Sequence, residues 1–518
     1  MDESRPAAGL SAAVMANFAG AICSMIISIL SVPFYLRYLG AEGYGVVGFS
    51  TTLLSIVTFL DGGLTLTVNR EFARLSDSPD NIRQRRETLS AGTVLFALIA
   101  LVVTAAIWSC APWIARDWLN SSNISIGELV VSIRLIGFIL GEQMLWALFQ
   151  GALFGLHRQI TANAVRIAGL TARAIGAVLI LKYLSSTPSA FFAWYGSVLL
   201  AQILVARMLL ARDVRTSDAF VLPSSRMLKL LLLQTRGFGA LAILSLLLSQ
   251  VDKLLISRML PLQEFGYYMV AVSVSLLPLM IAAPFTNVFF PTLSRLAQAR
   301  PAAAVTVFKL GTGLIGSIVV PVGFTLAMFS REMIFAWTGS ATVTEHVAPI
   351  VTILIAGYSI NGTLQLTYYF EMAHARTRIP IISNIIALLL IVPSMIALSR
   401  SFGALGVAGC WFLLNVGYLI IGMPILLRRS LGRRLLEFYI HSLLPPYGVT
   451  LIIVGLARIL VPGGLSRIAG GIVTLAVLCL AMAACFLVLP RLRELVFRRG
   501  KIIYAAVFPR SDPGVNLN

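Results

Sequence analysis

Ionisable side chains stand in this chain where apolar sequence would normally exclude them. Asp61 closes the run TTLLSIVTFL, and Arg134 and Glu142 interrupt the stretch from Ile124 to Gly151. Arg166 and Arg173 interrupt the stretch from Ala162 to Tyr183, and Asp252 and Lys253 sit together within LLLSQVDKLLISRML. A charge at the centre of a bilayer costs about 2.5–3.5 kcal/mol on the insertion scale, so each must face protein, water or a ligand of opposite sign. Paired cations suit an anion, because a guanidinium bonds phosphate or carboxylate oxygens bidentately. An isolated carboxylate suits a coupling ion, either a proton or sodium.

Depth sorts these groups. With the fourth and fifth helices antiparallel, Arg134 and Arg173 each lie about ten residues from the same membrane face, roughly 15 Å deep. Glu142 and Arg166 each lie about seventeen residues in, roughly 25 Å deep. Glu142 and Arg166 therefore read as an internal ion pair. Arg134 and Arg173 have no acid beside them. An anionic ligand or a water-filled cavity compensates them, or their long stems snorkel to the interface. The anion-site candidates by depth are thus Arg134 and Arg173. Asp61, Glu142, Arg166 and Asp252 are the candidates for ion coupling or internal pairing.

The elements that carry these residues follow from composition. The chain has 518 residues, of which 58% are hydrophobic and only 12% charged, with a mean hydropathy of +0.90. Soluble domains average about 25% charged residues. The apolar residues come in blocks of about 18 or more, the length of a transmembrane helix, and not in the short alternating segments of a barrel. The expected fold is an all-α polytopic membrane protein of about 14 transmembrane helices. The formal net charge of +19 collects in every second connection, which is the positive-inside pattern and not a nucleic-acid surface. Basic clusters at Arg70 to Arg86, His157 and Arg158, Arg212 to Lys229, Arg428 to Arg434 and Arg491 to Lys501 predict both termini on the cytoplasmic side. The first apolar block is too long for a signal-peptide core and reads as the first span.

A duplication organises the chain. Arg37 to Leu75 matches Arg258 to Leu296 without gaps: Arg37 pairs with Arg258, Tyr44 with Phe265, Gly45 with Gly266 and Arg74 with Arg295, at one offset (258 − 37 = 221). Asn163 and Asn384 keep that offset. Six spans separate the copies, so they share one orientation, as parallel repeats do about an axis along the membrane normal. The expected organisation is two six-helix lobes, 1–222 and 223–434, an additional two-helix segment at 435–490 and a basic tail at 491–518.

Other motifs carry no chemistry. Gly311-Thr312-Gly313-Leu314-Ile315-Gly316 has dinucleotide-loop spacing but lies in an apolar helix with no strand before it, where small residues pack helices. No GxxxxGK[ST] occurs, so any ATP motor would be a separate subunit. The five cysteines form no CxxC and the four histidines stand near span ends without a nucleophile, so no metal site and no hydrolase is expected.

YLGAEGYGVVG at 38–48, DGGLTLTVNREFARL at 61–75 and DKLLISRMLPLQEFGYYMVAVS at 252–273 resemble the Wzx-type polysaccharide flippases. These belong to the multidrug/oligosaccharidyl-lipid/polysaccharide exporter superfamily. The resemblance implies two lobes around a central cavity open to one side at a time. It implies an undecaprenyl-pyrophosphate-linked oligosaccharide as substrate, with Arg134, Arg173 and Lys253 holding the pyrophosphate. It also implies a place in the bacterial inner membrane, contact with membrane lipids, and a polysaccharide polymerase and chain-length regulator as partners. No cofactor is implied beyond a coupling ion, H+ or Na+, and no covalent chemistry, hence no enzyme. Fourteen spans is similar to the lipid II flippases, but the first lobe has too few cations for that branch. A cation-coupled multidrug exporter, or an exporter of another lipid-linked precursor, of the same fold is the alternative.

Overall fold

A bilayer offers no partner for backbone N–H and C=O groups, so a chain this apolar satisfies them within helices. The computed structural model describes residues 5–61, 63–76, 81–214, 228–229, 231, 240–374, 376, 378–461 and 464–489, and these residues are helical with no strand among them. The all-α polytopic expectation holds. Among the described residues, ten helical intervals are long and apolar enough to cross a membrane, the longest being Arg378–Leu460 at 83 residues. That interval exceeds the length of one crossing, about 20 residues, several-fold.

Helix α1 (Arg5–Leu60) is bent at Gly40, whose φ of 71° lies in the left-handed region. The backbone leaves helical geometry there, so two helices meet at Gly40, and glycine is the residue that adopts this conformation without strain. The apolar run that follows Tyr44 is interrupted: Gly63 has φ 86°, and α2 (Leu64–Arg74) starts afresh. The Asp61 carboxylate caps the new start, accepting from the Thr65 backbone N–H and hydroxyl, both at 3.0 Å. A broken helix exposes N–H groups, and a short acidic side chain is the usual remedy.

The basic connection at Arg70 to Arg86 is mostly helix, since α2 runs to Arg74 and α3 (Ile82–Trp113) begins early. Its cations make this possible. Arg85 donates to the Leu75 carbonyl (2.9 and 2.6 Å) and to that of Ser76 (3.0 Å), closing the end of α2. Next come α4 (Ile126–Gly155), α5 (Gln159–Tyr183), α6 (Pro188–Val214), α7 (Ala240–Met259) and α8 (Leu262–Ser275). They are followed by α9 (Leu277–Ala299), α10 (Pro301–Met328), α11 (Ser330–Thr338), α12 (Ala341–Ala373) and α13 (Arg378–Gly417). The last are α14 (Met423–Leu431), α15 (Leu444–Leu460) and α16 (Arg467–Val488). Within α13 the backbone again leaves helical geometry, at Gly403 with φ 57°, so two helices meet there.

The chain divides into two compact units, one ending at Val270 and the other starting at Ala271. The lobe boundary expected at 222/223 and the basic tail at 491–518 lie outside the described residues. The first unit extends into α8 because α7 and the start of α8 pack on α1. In the second unit, Phe308, Phe370 and Phe438 form an aromatic core, with rings 4.5 and 5.3 Å apart. There α15 and α16 pack against α10.

The contact between α1 and α8 is two-fold in character. A Cβ on Gly45 would stand 2.6 Å from the Leu262 carbonyl, and one on Gly266 would run into the Ala41 carbonyl. Applying the 221 offset turns one contact into the other, because 41 + 221 = 262 and 45 + 221 = 266. Gly48 meets Met269, its own repeat partner (48 + 221 = 269). A contact of residue with its own equivalent lies on the symmetry axis. The duplication read from sequence is thus a packing fact, with backbones brought together by one glycine from each copy.

Candidate functional site

Helix α5 is threaded between α1 and α6 because its small residues admit their side chains. Gly169 is covered by Gln202, and Gly176 by the indole of Trp194, both from α6. Between these glycines, one turn from each, stands Arg173. It is 7% exposed, with its guanidinium 4.7 Å from the centre of the Tyr195 ring. Glu142 of α4 is 4% exposed, and its Oε2 lies 3.5 Å from where a Cβ on Gly196, the next residue of α6, would be. No hydrogen bond reaches either Glu142 oxygen or the Arg173 Nε. Arg173 is the cation whose field reaches Glu142, and it also acts on Tyr35 of α1. Buried Arg173 and Glu142 thus form one polar cluster with half-buried Tyr35 and Tyr195 inside the first unit. It is poor in internal bonds and so is equipped to take a charged ligand or ion.

This arrangement revises the depth argument. Arg166 does not pair with Glu142. Its Nη2 packs with Asn163 against α1, 3.0 Å from the position of a Cβ on Gly20. Counting residues from helix ends gives depth only for helices of equal tilt, and tilt is set by packing. Arg134 and Arg173 do not share surroundings either. Arg134 is exposed and lies 5.7 Å from the Trp108 ring, whose Nε1 donates to the Arg134 carbonyl at 2.8 Å. Exposed Val131 and Phe138 flank it, so this face is apolar and the side chain is placed to snorkel.

Asp252 and Lys253 are both buried, and neighbouring positions on a helix would normally diverge. Here Lys253 Nζ turns back to Asp252 Oδ1 at 3.1 Å and donates to the Ser249 carbonyl at 2.6 Å. The Tyr268 hydroxyl donates to Asp252 Oδ2 at 2.7 Å. The Lys253 charge expected for an anion is therefore already neutralised. Asp61, expected as a coupling group, is occupied as the cap of α2. Among the described residues no group of His, Cys, Asp and Glu could hold a metal ion.

The sequence profile of the polysaccharide biosynthesis protein family matches residues 10–297, which run from α1 into α9 and include this cluster. The chain belongs to that family. Among its relatives, a candidate O-antigen transporter of Shigella flexneri is 24% identical over 416 residues, covering 76% of this chain and 92% of that protein. The lipopolysaccharide biosynthesis protein WzxC of Escherichia coli K12 is 24% identical over 438 residues, 78% of this chain and 82% of that one. The Wzx-type resemblance read from the motifs stands. In fold, the lipid II flippase MurJ in its inward closed conformation superposes with a TM-score of 0.62 at 14% identity, covering 94% of this chain and 98% of that one. An inward-facing multidrug resistance MATE family transporter gives 0.64 at 14% identity, covering 79% and 98%.

This polysaccharide biosynthesis protein carries a further buried carboxylate that spacing did not single out. Glu42, 6% exposed, follows the Gly40 kink and accepts from the backbone N–H groups of Ser122 (2.8 Å) and Asn123 (2.9 Å) and from the Ser121 hydroxyl (3.2 Å). The same connection reaches the second repeat copy. The Leu262 N–H donates to the Asn120 carbonyl at 2.7 Å, Trp118 Nε1 to the Ser257 hydroxyl at 3.0 Å, and Arg258 to the Asp117 carbonyl. Residues 117–123 therefore stitch the two copies together at the α3–α4 end of the first unit. One signal was legible: the offset lands on Gln263, so Glu42 is an acid its repeat lacks. Hydrogen bonds to a charged group are worth about 1.5–3 kcal/mol each. In the Glu42→Ala variant, deuterium exchange at the Ser122 and Asn123 amides is expected to rise at least tenfold, and an unchanged rate would show that the carboxylate does not hold this loop.

Proposed function

We propose that this protein is a flippase that moves undecaprenyl-pyrophosphate-linked oligosaccharide repeat units across the bacterial inner membrane by alternating access, for assembly of a surface polysaccharide. The observation that carries this reading is the family match through residues 10–297. The transporter and lipopolysaccharide roles in the names of its relatives agree with it. Arg173 is the cation assigned to the pyrophosphate, because it alone of the three expected is buried without an ion-pair partner within salt-bridge distance. Glu142, with both oxygens unpartnered beside it, is assigned to the coupling ion, H+ or Na+. Both termini are assigned to the cytoplasm on the charge of the connections. A polymerase and a chain-length regulator would take over the translocated unit.

Deletion tests the assignment. Lipid-linked repeat units should accumulate on the cytoplasmic leaflet while surface polysaccharide falls to a few per cent or less, and the wild-type gene should restore both. Normal surface polysaccharide in the deleted strain overturns the reading. Drug sensitivity in place of glycan loss would favour the multidrug alternative.

A further inference from the structure

Among the described residues, helix α12 is the most enclosed of the membrane-length helices. From Leu354 to Glu371 every residue is buried except Asn361, Leu364, Gln365, Tyr368 and Tyr369. Positions 361, 365 and 368 follow i, i+4, i+7 and so lie on one face. Four of the five open residues carry a polar group, and none is charged. A face turned to lipid looks different, as the neighbouring α13 shows: its exposed residues include Ile382, Ile385, Ile386, Leu389 and Leu390. An amide facing hydrocarbon would lose its hydrogen bonds at a cost of several kcal/mol. The α12 strip therefore borders water or a polar ligand.

Its surroundings continue the same chemistry. Asn361 donates to Asn415 Oδ1 at 2.7 Å, and the Tyr418 hydroxyl donates to Asn384 Oδ1 at 3.3 Å. Trp411, 9% exposed, packs 5.2 Å from the Tyr358 ring and leaves its Nε1 donor without an acceptor. Gln365 makes no hydrogen bond, so its amide keeps a donor and an acceptor to offer.

We propose that this strip of the second unit, centred on Gln365 and Tyr368, binds the neutral sugar rings of the transported lipid-linked oligosaccharide. Amides donate to and accept from ring hydroxyls at once, and tyrosine offers an apolar face with a polar rim, matching the two surfaces of a pyranose. None of the strip's own residues is a cation that could pair with a pyrophosphate, so the occupant is the uncharged part of the substrate. The inference rests on the flippase reading. It adds a division of labour: the first unit holds charge, and the second reads sugar.

The test uses purified full-length protein and two probes, bare undecaprenyl pyrophosphate and the lipid-linked oligosaccharide extracted from cells lacking the protein. Wild type should bind the sugar-bearing probe at least tenfold more tightly than the bare one. The Gln365→Leu and Tyr368→Phe variants should each lose most of that preference. Equal affinity of wild type for both probes overturns the proposal and leaves the flippase reading intact. So does a preference that survives in both variants while only their thermal stability changes, since the strip would then serve packing alone. Wild type binding neither probe counts against the flippase reading itself.

Discussion

Substituting Gly266 by alanine is expected to reduce surface polysaccharide to less than a tenth of normal. The added methyl would run into the Ala41 carbonyl oxygen, and a backbone atom cannot swing aside as a side chain end can. Overpacking of this kind costs about 1–3 kcal/mol where neighbours can shift, and more where they cannot. The Gly45→Ala variant should show the same defect, because its methyl would stand 2.6 Å from the Leu262 carbonyl, the repeat equivalent of Ala41. Gly127→Ala is the control, since nothing lies within 4 Å of its Cβ position, and it should export normally. Quantitative surface-glycan staining with a matched immunoblot separates loss of transport from loss of protein. Full export by Gly266→Ala at normal protein level would mean that the two repeat copies do not need this close approach.

The second large effect is expected at Arg173. Its Gln variant should lose at least nine-tenths of export, whereas Arg134→Ala should retain more than half. The two arginines look equivalent by residue count, but Arg134 lies on an exposed apolar face against Trp108 and Arg173 is enclosed beside Tyr195. Removing one of two neighbouring buried charges can destabilise by about 3–5 kcal/mol, because the other is left uncompensated. The Arg173→Gln, Glu142→Gln double variant therefore carries the decision. It should regain protein level, having no stranded charge, and still fail to export or to bind undecaprenyl pyrophosphate. Export restored in the double variant would reduce Arg173 to a structural partner of Glu142.

The sequence made several of these residues visible for a simple reason. A charge in a 20-residue apolar block is conspicuous, so Arg173, Glu142 and the Asp252–Lys253 pair stand out without coordinates. Their partners did not. Lys253 turns back on its immediate neighbour, a contact that depends on side-chain rotamers and on the Tyr268 hydroxyl from another helix. Asp61 looked like a lone intramembrane acid, yet it caps a helix whose break depends on a left-handed Gly63. The α12 strip was hidden because Asn361, Gln365 and Tyr368 are unremarkable in composition. They become informative only once every other side of that helix is covered.

By itself the sequence determined that this is a helical membrane protein, that its core unit is duplicated with a constant offset, and that its motifs belong with the polysaccharide exporters. These properties depend on local composition and on linear register, and hydrophobic length and repeat spacing record both. Tertiary structure alone decided which charges meet, which arginine is enclosed, and which polar face stays open. Such facts depend on the tilt and rotation of each helix against its neighbours. Those are set by small residues such as Gly45, Gly169 and Gly266 at crossing points, where the missing side chain lets another helix approach.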